Sequence, residues 1–276
     1  MIGAVAVDLQ TIEPDWPTPP GVRAAFTLRT GGVSVAPYDS LNIGAGIGDS
    51  AEAVEENRRR VREGLRLPSE PVWLEQVHGV DVVVLGAAGA GQGVAAAGTG
   101  ALIAGQGAEV AAPVRADASV AHGAGQVCAI RVADCMPVLF AAVDGSAIGA
   151  AHAGWRGLAG GVLEATVAHL GVPASRLIAW MGPAIGPRHF EVGDDVSTAF
   201  ITKDAGAASA FVKNARGRWQ CDLYSLARRR LDALGVAETY GGGWCTFAEA
   251  DRFFSYRRDG RCGRMAALIW IERGRQ

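Results

Sequence analysis

The stretch that decides the fold is "VADCMPVLFAAVDGSAIGAAHAGW", residues 132–155. At its centre, Asp144 and Gly145 stand between two apolar runs, and this arrangement is a strong signal for a β-hairpin with a two-residue turn. With that turn, Pro137 on the first strand lies opposite His152 on the second. The stretch therefore predicts two paired antiparallel strands, and their register follows from the position of the turn.

The predicted hairpin brings a thiol and an imidazole to one face of a sheet. Side chains alternate between faces along a strand, so Cys135 shares a face with Pro137 and therefore with His152. Their diagonal Cα separation is about 7–8 Å, which lets both side chains reach one metal ion. A bulge would change this parity, and Pro137 itself favours an edge strand or an irregular strand start.

Three other residues are candidates for a third metal ligand, because zinc takes Cys sulfur and His nitrogen in tetrahedral array. His78 precedes a glycine at a predicted strand end, in "LEQVHGVD". His122, in "VAHGAGQ", is typical of an exposed turn, and Cys128 lies among apolar residues that favour a core position. The other two histidines are His169 on a predicted helix and His189 in a loop, with no identifiable partner. Spacing alone does not choose among the three candidates.

Several further segments carry the periodicity of a regular element. We predict a strand over residues 24–29, two strands around a turn in "VWLEQVHGVDVVVL", a helix with Asp49 as N-cap and Glu52 in capping-box spacing, a helix in "LAGGVLEATVAHL", a helix from Asp222 to Gly235, and a buried strand in "RMAALIWIE". Strands and helices mix without strict alternation, and no linker separates them. The chain is therefore predicted to form a single α/β domain, of the mixed α+β type, over residues 1–276.

Composition limits the classes of partner. The 276 residues carry 26 Lys and Arg against 28 Asp and Glu, and this balance favours neither nucleic acid nor an anionic membrane as main partner. Residues 82–108 are uncharged, but the Gly, Ala and Gln content of residues 86–107 predicts a flexible surface loop and not a membrane span. The five cysteines, an odd number, and an N-terminus without a basic region favour a reducing, cytoplasmic setting.

A family resemblance rests on seven segments that occur in order along nearly the whole chain. They are "FTLRTGGVS…YDSLNIG" (26–44), "WLEQVHG" (73–79), "ADASVA" (116–121), "VADCMPVLF" (132–140), "AHAGWRGL" (151–158), "MGPAIGPRHFEVGDDV" (181–196) and "FFSYRRDGRCGR" (253–264). The sequence closely resembles the family of multicopper polyphenol oxidase or laccase-like proteins. Members of that family are also described as purine nucleoside phosphorylases and as peptidoglycan editing factors.

The resemblance implies a metal centre and a fold. The family's zinc ligands match His78, Cys135 and His152, so the resemblance selects His78 over His122 and implies one Zn²⁺ per chain. The implied fold is a single domain of layered mixed sheets flanked by helices. Three protein ligands leave a fourth position open, which is typical of a catalytic zinc. Two departures from the family pattern are the long Gly/Ala-rich stretch 86–107 and Cys262, where a Thr is more usual.

The activity that the resemblance implies is phosphorolysis of adenosine, inosine, guanosine and methylthioadenosine, together with adenosine deamination. The expected partners are a purine nucleoside and phosphate, and the chain is expected to act as a monomer. Because arginine holds a phosphate dianion bidentately, the predicted phosphate ligands are Arg29 and Arg156, followed by Arg257 and Arg258. We expect Arg156 to face one cleft with His152; a buried structural ion pair is the alternative for Arg156.

Three polar residues have two interpretations each. Asp134, next to Cys135, is an acid/base catalyst or an anchor for its neighbours. Asn42 and Asp117 contact a ribose or base, or they form turns, which both residue types favour.

Other functions stay open. A metal-free amide hydrolase would use Cys135 as nucleophile and His152 as base. Peptidoglycan editing, the removal of Ser from a misassembled UDP-MurNAc-L-Ser precursor, is amide hydrolysis with or without metal. A zinc-stabilised binding module is a third possibility. A true multicopper laccase would need more imidazoles than five histidines supply.

Overall fold

A computed structural model describes residues 9–86, 94–96, 102–103 and 114–272 of the chain. Its elements are β1 (Thr11–Ile12), β2 (Val22–Thr27), α1 (Ala51–Gly64), β3 (Val82–Leu85), β4 (Val94–Ala96), β5 (Leu102–Ile103), β6 (Ala118–Ala121), β7 (Val127–Val132), β8 (Met136–Ala142), β9 (Ile148–Ala153), α2 (Trp155–Gly160), α3 (Val162–Leu170), β10 (Leu177–Met181), β11 (Glu191–Val192), α4 (Asp194–Ile201), β12 (Phe211–Lys213), β13 (Trp219–Cys221), α5 (Leu223–Leu234), β14 (Glu238–Gly241), α6 (Tyr256–Asp259) and β15 (Met265–Ile271). Short 3₁₀ helices span Ala174–Arg176 and Ala205–Ala210.

Two sheets packed face to face form the centre of the protein. The larger is a mixed eight-stranded sheet in the order β14-β10-β8-β9-β6-β3-β4-β5, and the smaller is an antiparallel sheet in the order β1-β2-β15-β7. Apolar side chains of both sheets, such as Leu139 and Ile269, share the core between them. The strands β11, β13 and β12 form a separate three-stranded sheet in the order β11-β13-β12.

Helices cover the outer faces of both sheets. Leu163 of α3 and Leu226 of α5 pack with Phe140 on the outer face of the large sheet. On the other side, Val61 of α1 packs with Leu268 of β15 on the outer face of the small sheet. The predicted fold class, a mixed α/β fold with layered sheets flanked by helices, is confirmed.

The hairpin has the predicted register. Pro137 is paired with His152, and Gly145 in the turn has a φ of 74°, a left-handed conformation that suits glycine. Of the two expectations for Pro137, the edge strand is wrong, because β8 lies between β10 and β9. The other, an irregular strand start, holds: Pro137 is the second residue of β8, shortly after Asp134 with its left-handed φ of 89°. The backbone N–H of His152 points away from β8 and donates to the backbone carbonyl of Asp117. His152 and Pro137 therefore form a pair without hydrogen bonds between them. The missing N–H of Pro137 therefore breaks no bond of the hairpin.

Two predicted element boundaries need correction. Helix α1 is capped by Ser50 and not by Asp49, because the Ser50 hydroxyl accepts from the Ala53 N–H. The Asp49 carboxylate instead accepts from Ser34 and from Asn42, which ties two loops together. The first long strand is Val22–Thr27 and ends two residues earlier than predicted.

Glycines and caps set the ends of the later helices. The segment predicted as one helix after Gly154 is two helices, α2 and α3, because Gly161 between them has a φ of 109°. The predicted limits of α5 are confirmed: the Asp222 side chain accepts from the Ser225 N–H, and Gly235 ends the helix in a left-handed conformation.

The Gly/Ala-rich stretch is partly ordered into strands. Within residues 86–107, Val94–Ala96 form β4 and Leu102–Ile103 form β5. Strand β4 pairs antiparallel with β3, and β5 pairs antiparallel with β4 at the edge of the large sheet. Most of the remaining residues of the predicted flexible loop lie outside the described part. No helix in the part of the chain that the structure describes has the length and apolar character needed to cross a membrane.

Strand β8 is buried along its whole length, so its largest side chain tests the layered packing. Replacing Phe140 with alanine is expected to lower the free energy of unfolding by about 3–5 kcal/mol, because a buried cavity is left between sheet and helices. Urea denaturation measures this change. The matched control is Val143→Ala in the same hairpin, where the side chain is 40% exposed and the expected effect is within about 0.5 kcal/mol. Equal effects of the two substitutions would contradict the packing described here.

Candidate metal centre and its cavity

Three side chains from distant parts of the chain meet at one point. The ligand atoms of His78, Cys135 and His152 all lie within 4.8 Å of one another, and Cys135 Sγ is 3.7 Å from His78 Nε2. In a tetrahedral site with metal–donor distances of about 2.0–2.3 Å, donors lie roughly 3.5 Å apart, so a small movement of the side chains would bring all three onto one ion. The residues present therefore fit a metal ion.

The hairpin holds two of these donors. His152 lies in β9 and is buried, whereas Cys135 stands immediately before β8 and is half-buried. Gly154 allows their close approach: a Cβ at this position would lie 2.8 Å from Cys135 Sγ and 3.1 Å from His78 Cδ2. The small residues around His152 in the sequence thus leave room for the other two donors.

The third donor comes from a loop. The strand predicted before His78 is reduced to a single bridge between Glu75 and Arg115, and His78 itself adopts a left-handed φ of 62°. Its side chain is exposed, so the cluster opens to solvent on the His78 side. An open side leaves space for a substrate beside the three donors.

One buried carboxylate orients both histidines. Asp117 accepts hydrogen bonds from the backbone N–H groups of Val77, His78 and Gly79 at 2.6–3.1 Å and from His152 Nδ1 at 2.8 Å. The bond to Nδ1 leaves His152 Nε2 free to coordinate. Asp117 is fully buried, so the expectation that it contacts a ribose or base is not met.

The charge states in the cluster favour a thiolate beside an imidazolium. Burial opposes ionisation of Cys135, but the charge and hydrogen bond of His152, with those of His78, lower the pKa of the thiol to about 6. Burial also opposes the charged form of His152, but Cys135 and Asp117 raise its pKa to about 9. Asp117 is itself buried, yet His152 and the backbone donors hold its pKa below the usual range.

A cavity of about 460 Å³ adjoins the cluster. Its lining includes His78, Cys135 and His152, and also Gln76, Arg131, Tyr256 and Arg264, with Ala45, Ile47, Val132 and Ala133. Its volume lies in the range of small-molecule sites. Neither arginine is among the predicted substrate ligands. The available signal was a lone charge in the buried strand "VCAIRV", to which Arg131 belongs.

The four predicted phosphate ligands do not line this cavity. Arg29 donates to the carbonyls of Asp39 and Ala250, and Arg258 donates to those of Thr246, Phe247 and Phe253. Arg257 donates to the Glu191 carbonyl. Arg156 is exposed and lies over the ring of Trp155 at 4.4 Å, so it neither faces the cleft with His152 nor forms the alternative buried ion pair.

Asp134 and Asn42 organise loops around the cavity. The Asp134 carboxylate accepts from the Thr246 hydroxyl and from the Arg257 backbone N–H, both at 2.6 Å, which favours the anchoring interpretation. The Asn42 side chain is fully buried and accepts from the backbone N–H groups of Gly44 and Arg264. Contact between Asn42 and a ribose or base is therefore not met, because Asn42 holds the loop that carries Arg264.

The remaining histidines have other partners. His122 Nε2 lies 3.0 Å from the Leu170 carbonyl and His169 Nδ1 lies 2.7 Å from the Ala165 carbonyl. His189, predicted to have no partner, lies 3.4 Å from Cys245 Sγ and stacks on Phe247. All five histidines of the chain fall within the described residues, and two of them belong to the cluster.

Comparison with known proteins gives consistent matches over almost the whole chain. Residues 23–272 match the family model described as "Multi-copper polyphenol oxidoreductase laccase". The purine nucleoside phosphorylase PA4543 of Pseudomonas aeruginosa is 51% identical and covers 95% of this chain and 98% of its own. The purine nucleoside phosphorylase YfiH of Escherichia coli is 49% identical, over 94% of this chain and 98% of its own.

Two solved structures share the fold. The protein NMB0706 of Neisseria meningitidis is 44% identical, with a TM-score of 0.83 over 95% of this chain and 99% of its own. The protein YlmD of Geobacillus stearothermophilus is 32% identical, with a TM-score of 0.76 over 92% and 93% of the two chains.

Loss of the Asp117 charge is expected to weaken metal binding. In Asp117→Asn the negative charge is lost and one of the two acceptor oxygens becomes an NH₂ donor, so a single neutral oxygen faces the four N–H donors. We expect the affinity for Zn²⁺, measured by competition with a chelator, to fall about 10–100-fold. The control is Asp144→Asn, at an exposed turn position where an asparagine also suits the hairpin. Unchanged affinity in Asp117→Asn would show that the two histidines need no common anchor.

The cluster also predicts a pH dependence of metal binding. Between about pH 6 and pH 9 the metal-free thiol is ionised while His152 keeps its proton. Binding must displace that proton, so affinity for Zn²⁺ should rise about tenfold per pH unit in this window and level off above it. Calorimetry in buffers of different ionisation enthalpy should give a release of about one proton. Affinity that is independent of pH across the window would contradict the thiolate–imidazolium pair.

Proposed function

The chain belongs to the family described as multi-copper polyphenol oxidoreductase laccase, and we propose that it is a zinc-dependent purine nucleoside phosphorylase. The proposed substrates are adenosine, inosine, guanosine and methylthioadenosine, with adenosine deamination as a side activity. The observation that carries the proposal is the three-donor cluster of His78, Cys135 and His152, open to a cavity of about 460 Å³. The names of the relatives support an enzyme of this kind.

The donor set argues for zinc and against several coppers. One thiolate and two imidazoles are ligands that zinc takes readily, and three of them leave a fourth position for a substrate. A multicopper site needs more imidazoles, and the other three histidines lie outside the cluster. When bound, the metal would supply Lewis-acid polarisation of a substrate oxygen or activation of a water molecule. The proposed content is one Zn²⁺ per chain.

In the proposed reaction, an oxygen of HPO₄²⁻ bonds to C1′ of the ribose while the bond from C1′ to N9 breaks. The electron pair of that bond stays on N9, and the proton of the phosphate goes to the base. The products are the free purine and ribose 1-phosphate, so atoms and charge balance. The chain's own contributions are the fixed donors, Asp117 behind them, and a partly enclosed cavity that limits water around the reacting groups.

A second candidate is favoured by one observation. The lowered thiol pKa of Cys135 and the adjacent His152 resemble the activated nucleophile and base of a Cys/His amide hydrolase. Such an enzyme would attack an amide carbonyl with Cys135, and His152 would give its proton to the leaving amine. Water would then hydrolyse the thioester, which releases the carboxylic acid and restores the Cys135 thiol. Removal of Ser from a UDP-MurNAc-L-Ser precursor, the peptidoglycan editing reaction, belongs to this class. Metal content separates the two candidates.

We further propose that the protein acts in the cytoplasm as a monomer. All five cysteines are free thiols in the described residues, which suits a reducing compartment. The near balance of acidic and basic residues supports small molecules as partners, with neither nucleic acid nor a membrane.

The test is phosphate-dependent release of adenine from adenosine, followed by chromatography. Zinc-loaded protein is expected to form adenine and ribose 1-phosphate, and chelation should remove the activity until zinc is restored. His78→Gln removes a metal ligand. Its activity should therefore fall by more than the roughly 10–100-fold loss that is typical when a hydrogen-bonding partner of a ligand is replaced. The control is His169→Gln, on α3 away from the cavity.

Three results would contradict the proposal. No adenine release by zinc-loaded protein removes the phosphorylase function. Activity on an amide substrate that survives chelation, and is lost on alkylation of Cys135, supports the thiol hydrolase in its place. Unfolding of His78→Gln, measured by circular dichroism, would indicate a metal that only stabilises a binding module.

A further inference from the structure

Two arginines stand in the wall of the cavity beside the metal cluster. Arg131 comes from β7 and Arg264 from the segment just before β15. The side chain of Gln76 fixes the backbone of Arg131, donating to its carbonyl at 2.8 Å and accepting from its N–H at 2.9 Å. Asn42 fixes the backbone of Arg264 by accepting its N–H at 2.9 Å. Both side chains therefore start from rigid positions.

Most donors of the two guanidinium groups are unused. Arg131 donates from Nη2 to the Leu74 carbonyl, and its Nε is buried without a hydrogen-bond partner in the described structure. Arg264 uses Nη1 for the carbonyls of Cys262 and Gly263. Neither forms an ion pair with a carboxylate within residues 9–86 and 114–272. A buried donor without a partner is unfavourable, so a ligand that accepts hydrogen bonds there would be stabilised.

The two cations also repel each other. Both guanidinium groups line one cavity, and burial and the charge of Arg264 lower the pKa of Arg131. Burial and the charge of Arg131 lower the pKa of Arg58 to about 10, so a third cation adds to the same field. Arg58 does not line the cavity, and its guanidinium donates to the Ile43 carbonyl. An anion between Arg131 and Arg264 would relieve the repulsion.

We propose that Arg131 and Arg264 bind the phosphate dianion that is consumed in the reaction. This inference rests on the proposed phosphorylase function and names the residues that hold its second substrate. Two planar guanidinium groups match a tetrahedral oxyanion, because each presents paired donors to its oxygens. Both groups line the same cavity as His78, Cys135 and His152, so phosphate held by them would share that cavity with a nucleoside.

The remaining arginines of the initial prediction support this choice by contrast. Arg29 and Arg258 already donate to backbone carbonyls on several sides, and Arg257 donates to the Glu191 carbonyl. Arg156 is exposed on Trp155. Arg131 and Arg264 line an open cavity, have unused donors and, within the described residues, form no ion pair with a carboxylate.

Direct binding of inorganic phosphate tests the site without turnover. Zinc-loaded protein is titrated with phosphate in a calorimeter, and the same titration is made on Arg131→Gln and Arg264→Gln. Each substitution is expected to weaken binding about tenfold to a hundredfold, because one charged hydrogen-bonding partner is lost. The control is Arg176→Gln, where an exposed guanidinium pairs with Asp144 at the far hairpin turn, and no change is expected.

Kinetics separate substrate binding from a structural effect. In Arg264→Gln the KM for phosphate should rise about tenfold or more while the KM for adenosine stays within about twofold. Arg264→Lys retains the charge without the fork and should lie between wild type and Arg264→Gln. Zinc content and the thermal unfolding midpoint are measured for every variant. If Arg131→Gln does not fold because the hydrogen bond to the Leu74 carbonyl is lost, Arg131→Lys replaces it in the binding and kinetic measurements.

The outcomes are distinguishable from those of the proposed function. If the wild type binds phosphate through the two arginines but releases no adenine, the site stands and the phosphorylase proposal falls. If adenine is released and the phosphate KM and affinity of both variants equal those of wild type, the site is wrong and the phosphorylase proposal stands. If UDP binds tightly and inorganic phosphate gives no binding signal in the calorimeter, the cavity takes a nucleotide-linked phosphate. That result overturns the site for inorganic phosphate.

Discussion

A single buried carboxylate organises the centre of this protein. Asp117 carries its charge in a fully buried position and compensates it with three backbone N–H groups of the His78 loop and with His152. A charge removed from water is tolerated only when it is paired and hydrogen-bonded in this way. The loop therefore cannot move away without leaving the carboxylate unsatisfied, and the two imidazoles are held together as a consequence.

The sheet gives this carboxylate its fixed position. Asp117 precedes β6, which pairs with β9, and β9 pairs with β8 at the middle of the large sheet. Layers of apolar side chains cover both faces of these strands, so their backbone has little freedom. Donors that belong to rigid strands are held more precisely than donors on loops. The exposed His78 is the exception, and its flexibility is limited by the same carboxylate.

Polar interactions divide the arginines around the cavity into two groups. Those on the outer loops donate to carbonyls and hold loops together, as Arg29 does by joining Asp39 and Ala250. Arg131 and Arg264 line the cavity beside the metal cluster, and within the described residues neither is paired with a carboxylate. An enzyme that brings an anion to a nucleoside needs cations of the second kind, because an arginine already saturated by carbonyls has few donors left for a ligand.

The sequence by itself determined the local features. The Asp144-Gly145 turn fixed the register that brings Cys135 and His152 together, and cap residues fixed the ends of α5, because turns and caps depend on neighbouring residues. His78 followed from family resemblance and not from spacing. Only the tertiary structure decided that Asp117 anchors the histidines and that Arg131 and Arg264, instead of the predicted arginines, face the cavity. Those roles depend on which carbonyls and carboxylates reach each side chain, and such partners can be far apart in the sequence, as Arg29 and the Ala250 carbonyl are, at a separation of 221 positions.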